Sequence, residues 1–315
     1  MPNFSVRGAV LVVIALATIT AGCRPAPAPD DSAEPLVLTT FTVIADMARQ
    51  VGGEHVRVES IVKPGAEIHG YDPTPSDLRR VADADLVLNN GFGLERWFER
   101  FMTGVDAPRV TLAEGVQPIP IRSGDHTGEP NPHAWMSPDA ALSYVDTIER
   151  ALSDLVPEHA ADFAAAADAY REKIERLDAE LTATLAEVPA ASRALVTCEG
   201  AFSYLARDAG LTERYLWPVN AESDPTPQDV AAVVDFVSRQ RVPAVFCEST
   251  VSDAAQRQVA AQSGARFGGV LYVDSLSEPD GPVPTYLDLL RHDLTTIAEG
   301  LGRPARGGAA GEVRR

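Results

Sequence analysis

Hydrophobic positions along this chain follow two alternating patterns. Short apolar runs are separated by longer stretches in which apolar residues recur every three or four positions. The short runs predict strands and the longer stretches predict amphipathic helices, an alternation typical of parallel α/β layers. The predicted strands are LVLTTF from Leu36, VRVESIV from Val56, LVLNN from Leu86, RALVTCE from Arg193, RYLWPV from Arg214, VPAVFCE from Val242 and RFGGVLYV from Arg266.

Several helix boundaries carry their own signals. The stretch VIADMARQV has helical spacing and ends at Gly52-Gly53, a pair that stops helices. Two matching segments, TPSD at Thr74–Asp77 and TPQD at Thr226–Asp229, predict helix starts. In each, Thr is the cap, Pro takes the first helical position and Asp closes the capping box.

A long alanine-rich segment without helix breakers lies in the middle of the chain. It runs from Glu158 to Glu187 and exceeds the length of a typical globular helix. The predicted fold class is therefore α/β, with two lobes that contain parallel sheets and are joined by one long rigid helix. We place the lobes at residues 36–156 and 189–303, and the linking helix at 157–188. Such lobes bind ligands beyond the carboxyl ends of their strands.

The first residues are expected to direct export rather than to join the fold. Arg7 precedes an apolar run from Ala9 to Ile19, which is shorter than the roughly 20 residues of a membrane-spanning helix. This pattern predicts a signal peptide over residues 1–22. The following TAGC resembles a bacterial lipobox, so Cys23 is the expected lipidation site and the Pro-rich residues 23–35 the tether. A signal peptide without lipidation is the alternative.

Composition and charge narrow the classes of function. The 315 residues are 45% hydrophobic and 23% charged, as in an ordinary globular protein, and the formal net charge is −18. This acidity argues against nucleic acid as a partner, because binding phosphates needs clustered Lys and Arg. The Gly-, Ala- and Arg-rich residues 304–315 are predicted to be a disordered tail.

Two of the six histidines lie in loops where they are candidate metal ligands. His69 follows the second predicted strand in KPGAEIHGYDPTPSD, and His133 lies in EPNPHAWMSPD beside Trp135. Prolines restrict the backbone on both sides of His133, and a rigid imidazole is a candidate metal ligand. Taken alone, His69 also fits an exposed loop, and His133 fits a core position. The others are interpreted as structural or surface residues: His55, His126, His159 and His292.

Acidic residues follow three strands of the second half. Glu199 comes directly after RALVTC, Glu248 after VPAVFC and Asp274 after GVLYV. An acid at the carboxyl end of a parallel strand points into the crevice where ligands bind, although such acids also cap helices. Together with the two histidines, Glu199 and Asp274 are predicted to line one cleft between the lobes.

The two cysteines of the second half each precede one of these acids. Because side chains alternate along a strand, Cys198 points away from a cleft that Glu199 faces, and is a poor ligand. The sulfurs of Cys198 and Cys247 fit one side of neighbouring strands, and an exported chain permits a disulfide. A disulfide and two free thiols both remain open.

These motifs together resemble the solute-binding lipoproteins of ABC-type transition-metal importers, the cluster A-I or TroA-like family. The resemblance covers about residues 36–301 and implies two α/β lobes bridged by a long helix. It also implies a monomeric receptor outside the membrane that delivers metal to an ABC permease and its ATPase. The segments that carry it are TTFTVIADMARQVGGEHV, PGAEIHGYDPTPSDLRRVADADLVLNNGFGLE, NPHAWMSP, TCEGAFSYLARDAGL, YLWPVNAESDPTPQDV, VPAVFCEST and LYVDSL.

The resemblance also assigns ligands. The four metal-ligand positions of the family fall on His69, His133, Glu199 and Asp274. Glu248 is a further candidate next to these ligands. One departure lies in the first loop, because the family often has Pro directly before the first His. Here Ile68 stands at that position, and Asp72-Pro73 comes after the His.

The types of ligand atom indicate which metal ion the site prefers. Two imidazoles and two carboxylates without thiolates suit Mn2+ or Fe2+ better than a closed tetrahedral zinc site. The zinc-specific branch tends to have a third His where this chain has Glu199, and a long His-rich loop where this chain has RSGDHTGEP. Mn2+ is therefore the predicted cargo. Zn2+ and Fe2+ remain alternatives, since Zn2+ binds nearly any such site more tightly than Mn2+.

An enzyme is not expected. A metal site that activates water needs an open coordination position and an independent base, for which Glu248 is the evident candidate. The sequence contains no G-x-S-x-G nucleophile motif. A metal-dependent hydrolase and a surface adhesin are the remote alternatives to a metal receptor.

Overall fold

A computed structural model describes residues 34–104, 106–124, 126–219 and 225–302. The predicted signal peptide, the predicted lipidation site Cys23, most of the tether and the predicted tail at 304–315 lie outside these residues. Within the described ranges, no helix has both the length and the apolar character needed to cross a membrane.

The amino-terminal lobe is built on a parallel four-stranded sheet in the order β2-β1-β3-β4. The two central strands are buried at every position, which explains their continuous apolar sequences, LVLT and LVLN. Strand β4 has only three residues and has no counterpart in the sequence prediction. The strand bounds are β1 Leu36–Thr39, β2 Arg57–Ser60, β3 Leu86–Asn89 and β4 Arg109–Thr111.

Helices of this lobe begin where the sequence signals place them. At α2, the Thr74 hydroxyl accepts a hydrogen bond from the Asp77 backbone N–H, and the Asp77 carboxylate accepts one from the Thr74 N–H, which completes the predicted capping box. At α4, the Ser137 hydroxyl acts as a single cap and accepts a hydrogen bond from the Ala140 N–H. The helix bounds are α1 Thr42–Gly52, α2 Pro75–Ala82, α3 Arg96–Phe101 and α4 Pro138–Leu155.

One long helix, α5 (Ala160–Ala186), follows a short 3-10 turn at Pro157–His159. Its 27 residues extend about 40 Å at 1.5 Å per residue. It packs against α1 and α4 of the first lobe and against helices of the second. The buried positions recur every three or four residues, and they are Phe163, Ala167, Tyr170, Ile174, Leu177, Leu181 and Leu185.

The carboxy-terminal lobe contains two parallel strand pairs, β5-β6 and β7-β8. The strands are β5 Ala194–Glu199, β6 Thr212–Trp217, β7 Ala244–Glu248 and β8 Arg266–Leu271. The helices are α6 Ser203–Ala209, α7 Pro227–Gln240, α8 Ala254–Ser263 and α9 Tyr286–Gly302. Strand β8 ends at Leu271, so Asp274 comes three residues beyond the strand instead of directly after it.

Side chains join β5 to β7. Cys198 and Cys247 form a disulfide with an S–S distance of 1.99 Å and a Cα–Cα distance of 4.9 Å. The buried amide of Gln256 donates hydrogen bonds to the carbonyls of Val196 and Phe246, at 3.1 and 2.9 Å. The disulfide and the two hydrogen bonds from Gln256 therefore hold β5 and β7 side by side.

Candidate metal centre

Four polar side chains from distant parts of the chain meet at one point. Each offers an atom to a cluster in which these atoms all lie within 4.8 Å of one another. His69 Nε2 lies 3.2 Å from His133 Nε2 and 3.4 Å from Glu199 Oε1. Asp274 Oδ1 lies 3.3 Å from His133 Nε2. These are the four positions that the sequence predicted as metal ligands.

The loop that carries His69 is held by aromatic residues. The Trp97 indole N–H donates a 2.8 Å hydrogen bond to the carbonyl of Ile68, which is buried. Tyr71 packs edge-on against Trp97, and its hydroxyl donates to Asp77 at 3.0 Å. Trp97 therefore fixes the backbone carbonyl just before His69, and Trp97 and Asp77 fix the ring of Tyr71 two residues after it. These contacts explain how the loop is ordered without a proline before the His.

Asn131 orients the second imidazole. Its Oδ1 lies 3.0 Å from both the backbone N and the Nδ1 of His133. A carbonyl oxygen only accepts, so Nδ1 of His133 carries the proton and Nε2 presents a lone pair to the cluster. Burial lowers the pKa of His133 to about 3, so the ring is neutral at neutral pH. A neutral imidazole with a fixed tautomer is ready to bind a metal ion.

Asn131 also links this His to the other lobe, because its Nδ2 donates a 2.7 Å hydrogen bond to the carbonyl of Gly200. Glu199 is the last residue of β5, and its backbone N–H donates to Glu248 Oε2 at 3.1 Å. Near Asp274, the Trp135 indole donates to the Val273 carbonyl at 3.1 Å. A hydrogen bond therefore fixes the backbone at each carboxylate ligand, at Glu199 itself and at Val273, the residue before Asp274.

The electrostatics of the site centre on the Asp274 carboxylate. Asp274 is fully buried, and among the described residues neither of its carboxylate oxygens has a hydrogen-bond partner. Burial raises its pKa, an effect that His69 partly opposes. Burial, and then the charge of Asp274, raise the pKa of nearby Glu67. Burying a carboxylate without hydrogen bonds is costly, and a bound cation removes that cost. The donor set therefore fits a divalent metal ion.

The remaining sequence candidates lie outside the four-residue cluster. Glu248 accepts from Glu199 and does not join the ligand atoms. Burial raises the pKa of Glu248 to about 8, which makes it mostly protonated at neutral pH. Cys198 and Cys247 are bonded to each other and cannot act as thiolates. His126, interpreted as a structural or surface residue, is half-buried beside Glu129.

Sequence reasoning missed Asn131. Its position two residues before His133 in NPH was the available signal, because a polar side chain two residues away reaches the backbone and ring of the ligand. That its other end reaches Gly200 depends on the tertiary structure alone.

Replacing Asn131 with alanine is expected to weaken metal binding by about 10- to 100-fold, the range found for residues that orient a ligand. The variant loses the acceptor of His133 Nδ1 and the hydrogen bond to the second lobe. Calorimetric titration with Mn2+ measures the effect. Asn89→Ala is a matched control, because it removes a buried amide that contacts Thr111 away from the site. Equal affinities of Asn131→Ala and the wild type would contradict this role.

Comparisons with known proteins agree with this reading of the fold. A family model described as "Zinc-uptake complex component A periplasmic" matches residues 37–300. The chain is 51% identical to the iron-binding protein YfeA of Yersinia pestis, over 87% of this chain and 89% of YfeA. It is 30% identical to the manganese-binding lipoprotein MntA of Halalkalibacterium halodurans, over 93% of this chain and 97% of MntA.

Solved structures give the same result. A Mn-bound periplasmic metal-binding protein from Candidatus Liberibacter asiaticus is 39% identical, with a TM-score of 0.79, over 85% of this chain and 99% of that one. The periplasmic zinc-binding protein TroA of Treponema pallidum is 26% identical, with a TM-score of 0.81, over 86% of this chain and 100% of that one. These relatives are binding proteins, which agrees with the prediction of a protein that is not an enzyme. The two-lobe α/β fold with a long helix is confirmed, and the chain belongs to the ZnuA/TroA family as a metal-binding substrate-binding protein of an ABC transporter.

Proposed function

We propose that this protein captures Mn2+ with His69, His133, Glu199 and Asp274 and delivers it to an ABC permease that its ATPase partner drives. The observation that carries the proposal is the buried Asp274 carboxylate, which has no hydrogen-bond partner among the described residues, beside two imidazoles and a second carboxylate. A divalent ion supplies the positive charge that this arrangement requires.

The choice of Mn2+ follows from the donor atoms. Two carboxylates can each bind through one or both oxygens, which permits coordination numbers above four and suits Mn2+ better than a closed tetrahedral zinc site. Thiolates, which favour zinc, are excluded because Cys198 and Cys247 are joined in a disulfide. The names of MntA and of the Mn-bound structure from Candidatus Liberibacter asiaticus support the same metal.

Fe2+ is the second candidate. It accepts the same nitrogen and oxygen donors, and YfeA, which is 51% identical to this chain, is named an iron-binding protein. Zn2+ is the third, supported by TroA at 26% identity. Because Zn2+ binds most such sites more tightly than Mn2+, affinity in vitro does not identify the cargo.

The proposed location follows from the amino terminus. Residues 1–22 act as the signal peptide, and a lipid on Cys23 anchors residues 23–35 as a tether outside the membrane. The anchored chain works as a monomer, with lobes at 36–156 and 189–303 on either side of the helix at 157–188. Several relatives are named as lipoproteins, which supports the anchor.

Metal analysis of the protein isolated from its own bacterium tests the cargo. We expect manganese to be the main bound metal, and we expect deletion of the gene to reduce uptake of radioactive manganese. Complementation with the wild type should restore uptake, whereas His69→Ala should not. Iron as the main metal together with unchanged manganese uptake would instead establish the second candidate. A protein isolated without any transition metal would refute both.

A further inference from the structure

A second group of metal-binding side chains lies away from the cleft. His55, His159 and Asp162 offer atoms that lie within 4.8 Å of one another. Asp162 Oδ2 lies 3.4 Å from His55 Nε2 and 3.1 Å from His159 Nδ1. From the sequence alone, both histidines are interpreted as structural or surface residues, and neither belongs to the cluster in the cleft.

The topology separates this group from the cleft. His55 lies just before β2, at the amino end of a parallel strand, whereas His69 comes after β2, beyond its carboxyl end. His159 and Asp162 lie at the first turn of α5. Arg57, two residues after His55, donates its backbone N–H to the carbonyl of Pro35, just before β1 begins. This bond marks the amino ends of the two strands. The two groups therefore lie at opposite ends of the strands of the amino-terminal sheet.

We propose that His55, His159 and Asp162 form a second metal site, on the surface, for a late first-row divalent ion such as Zn2+. Two imidazole nitrogens and one carboxylate oxygen are the ligand set of open zinc sites, with water in the remaining position. Mn2+ favours oxygen donors and binds imidazole less strongly than the later metals, so this site discriminates against it. The two sites thus differ in donor balance, with one carboxylate here and two in the cleft.

The ring geometry sets the conditions for binding. The imidazoles of His55 and His159 are stacked, with centroids 3.7 Å apart and planes 17° apart. A metal lies in the plane of each imidazole that binds it, so one ring must turn out of the stack. Both rings pack edge-on against Phe163, with centroid distances of 5.8 Å for His55 and 6.5 Å for His159. His159 is the more exposed of the two, at 38% against 24%, and is the ring expected to turn.

The electrostatics predict a weaker site than the cleft. The amino terminus of α5 places partial positive charge near the ion, which opposes a cation. Asp162 offsets part of this effect, and Glu158, exposed in the same turn, adds negative charge. In addition, solvent screens exposed charges more than buried ones. The surface site is therefore expected to fill only after the cleft.

Zn2+ titration of the untagged full-length protein tests the proposal. The wild type is expected to bind two Zn2+ ions per chain, one tightly and one more weakly. His55→Ala and Asp162→Asn are each expected to weaken the second event by at least about tenfold and to leave the first unchanged. His69→Ala should have the reverse effect. Because each variant affects a different binding event, an incorrect surface site can be told apart from an incorrect cleft site.

His126→Ala is the matched control, since His126 is also partly exposed and lies 3.3 Å from an acid, Glu129, but without a second histidine. This variant should retain both binding events. Circular dichroism checks that each variant is folded. A single Zn2+ per wild-type chain, or a second event that His55→Ala and Asp162→Asn leave unchanged, would overturn the proposal.

Discussion

Replacing Asp274 with asparagine is expected to lower Mn2+ affinity by more than about 100-fold, beyond the loss found for residues that only orient a ligand. The substitution removes a full negative charge from a fully buried position next to His133. The fold should survive, because asparagine has the shape of aspartate. Metal-free Asp274→Asn is expected to be at least as stable as the metal-free wild type, since it removes a buried carboxylate without hydrogen-bond partners among the described residues.

Two measurements and one control separate these effects. Calorimetric titration gives the Mn2+ affinity, and thermal unfolding with a chelator gives the stability of the metal-free protein. Asp293→Asn is the control, because Asp293 is another buried carboxyl of the same lobe and accepts from the Tyr272 N–H outside the cluster. It should bind Mn2+ as the wild type does. Unchanged Mn2+ affinity in Asp274→Asn would remove Asp274 from the site.

Breaking the disulfide between Cys198 and Cys247 is expected to lower the free energy of unfolding by about 4 kcal/mol, if the constraint on the unfolded chain dominates. The two residues are separated by 49 positions, so the bond closes a long loop in the unfolded chain. Weaker Mn2+ retention should accompany the loss, because Glu199 adjoins Cys198 and its N–H is bonded to Glu248, which adjoins Cys247.

Urea unfolding of the metal-free protein with and without reductant measures this contribution. The variant with both Cys198→Ala and Cys247→Ala should unfold at a lower urea concentration than the oxidised wild type and should not respond to reductant. Cys23 is unchanged in both proteins, so it cannot account for a difference between them. A wild-type midpoint that reductant leaves in place would contradict a stabilising role for the bond.

Local patterns predicted most elements, although their bounds shifted. The capping boxes at Thr74 and Thr226 lie where the sequence signals place them, because a cap depends on residues within three positions of each other. Strand β4 was missed, since three residues, Arg109–Thr111, are too few to display a period. The linking helix starts at Ala160 because the Pro157–His159 turn precedes it.

The candidate ligands were accessible from the sequence for two reasons. Glu199 and Asp274 follow predicted strands, and parallel strands direct such residues to a common edge. The family resemblance then assigned these two acids, His69 and His133 as the four ligands. The choice between a disulfide and free thiols for Cys198 and Cys247 depended on the spacing of β5 and β7, which no local pattern contains.

The sequence by itself determined the alternation of strands and helices, the helix starts and the residue types available for a metal, because these depend on neighbours within a few positions. Only the tertiary structure decided which of these residues meet. It brought Asn131 to Gly200, left the Asp274 oxygens without hydrogen-bond partners among the described residues, and stacked His55 on His159. Each of these contacts joins segments far apart in the chain or depends on burial, and burial is a property of the packed whole.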